Sequence, residues 1–94
     1  MSVDQAPAVS IVVVTYDSAS DLRSCLDSAL SQVDIETEVI VVDNASSDGS
    51  ADIARTLGRG VRTIEQPANI GFAAAMNVGI EASSGRYVLS LNPD

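Results

Sequence analysis

Ninety-four residues carrying a net charge of −8, with no Lys and with five Arg scattered along the chain, allow one domain at most and supply no basic stripe for nucleic acid. Aliphatic residues dominate, aromatics amount to 3% and Trp is absent, so the core of this single domain, residues 1 to 94, must be built from Val, Ile, Leu and Ala. The longest apolar run, Val9 to Val14 broken by Ser10, is far short of the ~20 residues of a membrane span, and the polar start Met1 to Pro7 is unlike a signal peptide, which makes the cytoplasm the expected compartment.

Residues 1 to 8 read as a disordered leader. Val9 to Thr15 then reads as a buried strand ending at Tyr16-Asp17-Ser18. Leu22, Cys25, Leu26, Ala29, Leu30 and Val33 follow at intervals of three and four, one apolar face of a helix expected from about Ala19 to Gln32. Ser18 with Asp21 three residues later resembles a capping box at its start. Cys25 is a lone cysteine on that apolar face and is expected to pack in the core.

The second strand, about Thr37 to Val42, is a β-branched run that stops abruptly at an acid, Asp43, followed by the polar turn Asn44 to Gly49. Ser47 or Asp48 is placed to cap the next helix, whose first turn carries Asp52 and whose end falls at Gly58 or Gly60. Val61 to Glu65 alternates with a period of two, as an edge strand does. Gln66 to Gly71 is a turn, Phe72 to Ser83 a helix stopped by Gly85, and Tyr87 to Leu91 a fourth strand before Asn92-Pro93-Asp94.

Strands alternating with helices through short connections predict an α/β, Rossmann-like three-layer sandwich: a parallel sheet in the order 3-2-1-4 with helices on both faces. That order brings Thr15-Tyr16-Asp17, Asp43-Asn44 and Asn92-Pro93-Asp94 to the carboxyl edge of the sheet, where α/β proteins hold ligands. Three acids gathered there repel one another unless a cation or hydrogen-bond donors intervene. A hard divalent ion carrying phosphates, Mg²⁺ or Mn²⁺, suits such a site with one or two carboxylates. Asp94 is a candidate metal ligand and Asp43 a candidate acceptor for a base N–H, although on spacing alone the same acids also suit turn caps.

Four blocks, Thr15-Tyr16-Asp17, Val41 to Ser50, Asn69 to Ile80 and Leu91-Asn92-Pro93-Asp94, together resemble the donor-binding half of family-two glycosyltransferases, and within them the rhamnosyltransferase-like subgroup. The resemblance spans about residues 9 to 94. It implies the N-terminal half of a GT-A fold that uses a nucleotide-diphospho-sugar, dTDP- or UDP-linked with dTDP-rhamnose included, and inverts the anomeric centre. On the matching positions it implies that Thr15 and Tyr16 line the base and ribose pocket, that Asp43 binds the pyrimidine base, and that Asp17 and Asn44 also belong to the nucleotide-sugar-binding residues. It implies further that Asn69, Gly71, Asn77 and Asn92 shape the nucleotide-sugar side and that Asp94 holds the metal on the diphosphate. Asn92 stands where many relatives carry Asp, a form that fits the subgroup, and Met76 stands where many carry Arg, as a core-filling residue does.

The family's catalytic base and acceptor pocket lie beyond the motif on which this sequence stops, so the expectation is a fragment with no catalytic residue of its own: a truncated gene product or a chain cut at a domain midpoint. The parent enzyme is expected to act on a glycan or lipid-linked acceptor in cell-envelope polysaccharide assembly, at the inner face of the membrane. Without the missing strands, the strand at 87–91 would expose an apolar edge, which predicts a homo-oligomer. Rival doubly wound folds fit less well. A receiver domain depends on a Lys, and a nicotinamide site wants G-x-G-x-x-G where Thr15 to Ser20 has no Gly. A nucleotidyltransferase wants a Gly-rich phosphate loop. The remaining alternative is a non-catalytic nucleotide-binding or oligomerising remnant.

Overall fold

A computed structural model of the chain describes residues 7 to 31, 36 to 57 and 61 to 93. Along it run β1 (Val9–Thr15), α1 (Ala19–Ser31), β2 (Thr37–Asp43), α2 (Ser50–Leu57), β3 (Val61–Glu65), α3 (Phe72–Ala82) and β4 (Tyr87–Leu91). All strand pairs are parallel and the sheet order is β3-β2-β1-β4, as the alternation of elements predicts.

The two central strands are apolar on both sides because both sides are covered. Ile11, Val13, Val39 and Val41 face α1 and α2, meeting Leu22, Leu26, Ala29 and Ala54. Val12, Val14, Ile40 and Val42 face α3 and meet Ala75. Gly79 of α3 is buried on that second face, and a methyl group there would run into the Val12 side chain, so the glycine sets how closely helix and sheet approach. Met76 fills space against the same cluster, and Cys25 packs half-buried against the other, where burial pushes its thiol pKa up.

Several boundaries shift from the expected ones. β2 runs one residue further and takes Asp43 as its last residue. α2 starts at Ser50, and its expected end at Gly58 or Gly60 lies outside the described residues, as does Gln32 at the end of α1. α3 closes at Ala82 with Ser83 already extended, so Gly85 does not stop the helix. Its lack of a side chain has another use: a Cβ on Gly85 would sit 2.6 Å from the Ser10 backbone nitrogen. The leader expected over residues 1 to 8 lies outside the described residues up to residue 6, but its last two residues are held just before β1. Pro7 is buried, the Ala8 N–H donates to Glu36 O at 2.9 Å, and Ala8 O accepts from the Tyr87 N–H at 3.1 Å.

At the amino end of the sheet one carboxylate ties three segments together. Glu38 on β2 accepts from the Ser10 hydroxyl of β1 and, beyond α3, from the Ser84 N–H at 2.6 Å and the Ser84 hydroxyl at 3.0 Å. Ser10 in turn accepts from the Gly85 N–H at 2.8 Å.

Candidate functional site

The carboxyl ends of β1 and β2 lie side by side, with Thr15 and Asp43 in register. Backbone bonds stitch the exits of three strands: the Asn44 N–H donates to Thr15 O at 2.9 Å, and the Gln66 N–H, just past β3, donates to Asp43 O at 2.8 Å. Asp43 is only 2% exposed. Its Oδ2 accepts the Ser46 N–H at 3.0 Å, whereas its Oδ1 is buried with no partner. The Thr15 Oγ1 beside it is buried and unpartnered as well. Two buried hydrogen-bonding atoms are thus left without partners at the carboxyl end of the sheet, the edge where α/β proteins hold ligands.

The turns around this pair hold one another. Asp17 accepts the Ser47 N–H on Oδ1 at 2.8 Å and gives its own N–H to Ser46 Oγ at 2.8 Å. Both turns contain a non-glycine residue in the left-handed region, Asp17 at φ 48° and Ala45 at φ 65°. Such residues cost on the order of 1–3 kcal/mol each and persist where their surroundings over-determine them. Asn44, buried at 3% exposure, works as a clamp on the loop between β3 and α3: its Nδ2 donates to Gly71 O at 3.1 Å and its Oδ1 accepts the Ile70 N–H at 3.2 Å. In that loop Asn69 Oδ1 accepts the Gly71 N–H at 2.9 Å, and Gly71 adopts φ 86°, open to glycine at no steric cost, as it opens α3.

Thr15, Tyr16, Asp17, Asp43, Asn44, Asn69 and Gly71 are thus gathered at one end of the sheet, with Tyr16 half in solvent at 51% exposure. The register Val13↔Leu91 brings Asn92 to the same end, where its backbone oxygen lies 3.7 Å from the Cys25 sulfur. Asn77 is not gathered with them. It is exposed on α3 two residues from each of buried Ala75 and Gly79, on the helix face turned away from the sheet. Asp94 lies outside the described residues. Among the described residues no group of three Asp, Glu, Cys or His side chains converges to hold a metal.

The capping box expected at Ser18 does not form. The Asp21 N–H bonds to the Ser18 backbone oxygen, and the Ser18 hydroxyl donates back to Tyr16 O at 3.1 Å. The first helical N–H of α1, that of Ala19, goes instead to Asp48 Oδ2 at 3.0 Å. Asp48 also takes the Ser50 N–H at 3.1 Å on Oδ1, which the sequence does signal as a cap on α2. The bond to Ala19 joins positions far apart in the chain and has no local signal.

Compared with known protein families, residues 10–94 match glycosyl transferase family 2. The chain belongs to that family. This family 2 chain is 37% identical over 94 residues to the succinoglycan biosynthesis protein ExoO of Rhizobium meliloti, covering 99% of this chain and 27% of the relative. Its fold follows the mannosyltransferase PcManGT of Pyrobaculum calidifontis, solved with GDP-Man and Mn²⁺, at a TM-score of 0.86 and 29% identity over 95% of this chain and 28% of that one. It also follows the glucosyl-3-phosphoglycerate synthase of Mycobacterium tuberculosis, solved with Mn²⁺, UDP and glucosyl-3-phosphoglycerate, at a TM-score of 0.80 and 25% identity over 94% of this chain and 34% of that one. The family 2 chain therefore has the Rossmann-like sheet of a GT-A glycosyltransferase and spans about a quarter of the length of the curated relatives it matches, 26% to 27% for the first three.

Proposed function

We propose that this chain forms the donor wall of a glycosyltransferase, binding the nucleotide of a nucleotide-diphospho-sugar at the carboxyl ends of β1 and β2. The observation that carries this reading is the buried, unpartnered pair Asp43 Oδ1 and Thr15 Oγ1. A pyrimidine or purine ring N–H supplies the donor that Asp43 Oδ1 lacks, while Thr15 offers a hydroxyl that donates or accepts. Tyr16, half exposed beside them, offers a ring face to the base or ribose. Asp17 and Asn44 shape the turns around that wall, while Asn69 and Gly71 shape the loop toward the sugar side and Asn92 borders it from β4. Asn77 has its place in this reading only as a part of the α3 block.

A divalent ion, Mg²⁺ or Mn²⁺, would be held by Asp94, which lies outside the described residues. A diphosphate-borne ion asks for only one or two carboxylates. When bound, it neutralises charge on the departing diphosphate. The Asn92-Pro93 form favours a rhamnosyltransferase-like donor, dTDP- or UDP-linked, with transfer by inversion to a glycan or lipid-linked acceptor at the cytoplasmic face of the membrane. No helix among the described residues is long and apolar enough to cross one.

In this reading the nucleotide occupies Thr15, Tyr16, Asp17, Asp43 and Asn44, so none of them serves as the base on an acceptor hydroxyl. This chain by itself is therefore expected to bind nucleotide without transferring sugar. Calorimetric titration with UDP, dTDP and GDP, with and without Mn²⁺, tests the reading: metal-strengthened binding of at least one supports it. Silence toward all three, or sugar turnover by the isolated chain, overturns the corresponding half. The apolar edge of β4 further supports association of this chain with a second copy.

A further inference from the structure

We propose that Asp48 is a positioning residue for the nucleotide site: it locks the two turns that aim Asp43, without touching the ligand itself. The inference rests on the reading of Asp43 as a base-binding acid.

Both carboxylate oxygens of Asp48 are committed to the protein. Oδ2 takes the Ala19 N–H at the start of α1, and Oδ1 takes the Ser50 N–H at 3.1 Å and the Ser50 hydroxyl at 2.5 Å at the start of α2. One exposed side chain thus caps two helices that follow two different strands. Hydrogen bonds to a carboxylate stabilise its charged form, and those from the Ser50 hydroxyl and the Ala19 N–H hold the Asp48 pKa below the usual carboxylate value. At each helix start the negative charge also meets the positive end of the helix dipole.

Fixing the start of α1 fixes Asp17, two residues earlier, whose Oδ1 holds the Ser47 N–H and whose own N–H holds Ser46 Oγ. Ser46 in turn holds Asp43 Oδ2 through its N–H and so decides where the unpartnered Oδ1 points. The turns between these contacts carry the left-handed Asp17 and Ala45, conformations that relax once the surrounding bonds are removed. Asp48 closes this ring from outside, and its removal frees the rotation of the Asp43 carboxylate without deleting any group that meets the nucleotide.

The test compares Asp48→Asn and Ser50→Ala with Glu38→Gln, whose acid ties β1, β2 and the α3–β4 connection at the opposite end of the sheet. Each variant is titrated with UDP, dTDP and GDP in the presence of Mn²⁺, alongside thermal melting and amide exchange at Ser46 and Ser47. The expected result is about tenfold weaker nucleotide binding for Asp48→Asn, in line with losing hydrogen bonds to a charged group, and a smaller loss for Ser50→Ala. Faster exchange at Ser46 and Ser47 accompanies both. Glu38→Gln lowers the melting temperature while affinity and those amides stay as in the unmodified chain. Unchanged affinity in Asp48→Asn, or a loss equal to that of Glu38→Gln, overturns the positioning role and leaves the site reading intact. Failure of the unmodified chain to bind any of the three nucleotides overturns both.

Discussion

Asp43 sits at 2% exposure with one carboxylate oxygen on the Ser46 N–H and the other on nothing, beside a Thr15 hydroxyl equally without a partner. Folding tolerates such an arrangement at a cost, and functional sites are where proteins keep one. Asp43→Asn separates the two roles, because an asparagine oxygen still accepts from Ser46 while its amide removes the buried charge. The expected outcome is a melting temperature equal to or above that of the unmodified chain with nucleotide binding weakened at least about tenfold, since an N–H then faces the base N–H. Calorimetry and thermal melting on the same samples check it, and a variant that binds UDP, dTDP or GDP as before removes Asp43 from the site. The placement of Asp43 was legible in the sequence because a β-branched run ending at an acid can hardly be anything but a buried strand delivering it to the sheet's carboxyl end. Asp48's bond to Ala19 was not legible: it depends on how two turns meet across the sheet edge, and no periodicity records that. Asn77 shows the converse, a motif position whose helical phase relative to Ala75 and Gly79 turns it outward.

At the scale of elements, every strand and helix was legible in kind, because period-two and period-3.6 patterns are written into the residues that face the core. Ends were less so, since capping bonds compete there: Ser83 and Ser84 hydroxyls bond backward or to Glu38, and α3 stops before the glycine expected to stop it. Glu38 gives this junction a pH dependence. Burial alone would raise its pKa, but the Ser10 hydroxyl and the Ser84 N–H and hydroxyl outweigh that and hold it below the ordinary 4.5. A carboxyl whose folded pKa is depressed contributes stability above its unfolded value and loses it as pH falls through the folded one. Melting temperature is therefore expected to fall below about pH 4.5 more steeply in the unmodified chain than in Glu38→Gln, which starts lower and has no such charge to lose. Parallel melting curves for the two proteins across acidic pH would show that the junction is held by packing instead.

On the scale of the whole molecule, the sheet has two unlike edges. β3 is guarded by charge: Glu65 pairs with Arg55, and Arg62 donates to Ala82 O at 3.4 Å. β4 has no charged residue, and Tyr87, Val88 and Leu89 are 68%, 42% and 49% exposed, apolar on both faces of the strand. An unguarded strand edge with free backbone donors and acceptors is a template for pairing, and the partner at hand in a pure sample is a second copy. The net charge of −8 opposes that approach, because two copies repel over the Debye length, about 10 Å at 0.1 M salt. These two terms respond differently to salt: apolar contact and strand pairing keep their strength while the repulsion is screened. Association is therefore expected to strengthen as ionic strength rises, opposite to an interface held by ion pairs. Sedimentation velocity over a range of concentrations at low and high NaCl measures this, and Leu89→Lys, which places a charge on the exposed strand, is expected to return the chain to monomer. A monomer under all conditions would overturn the association, and a dimer that Leu89→Lys leaves intact would place it somewhere other than the β4 edge.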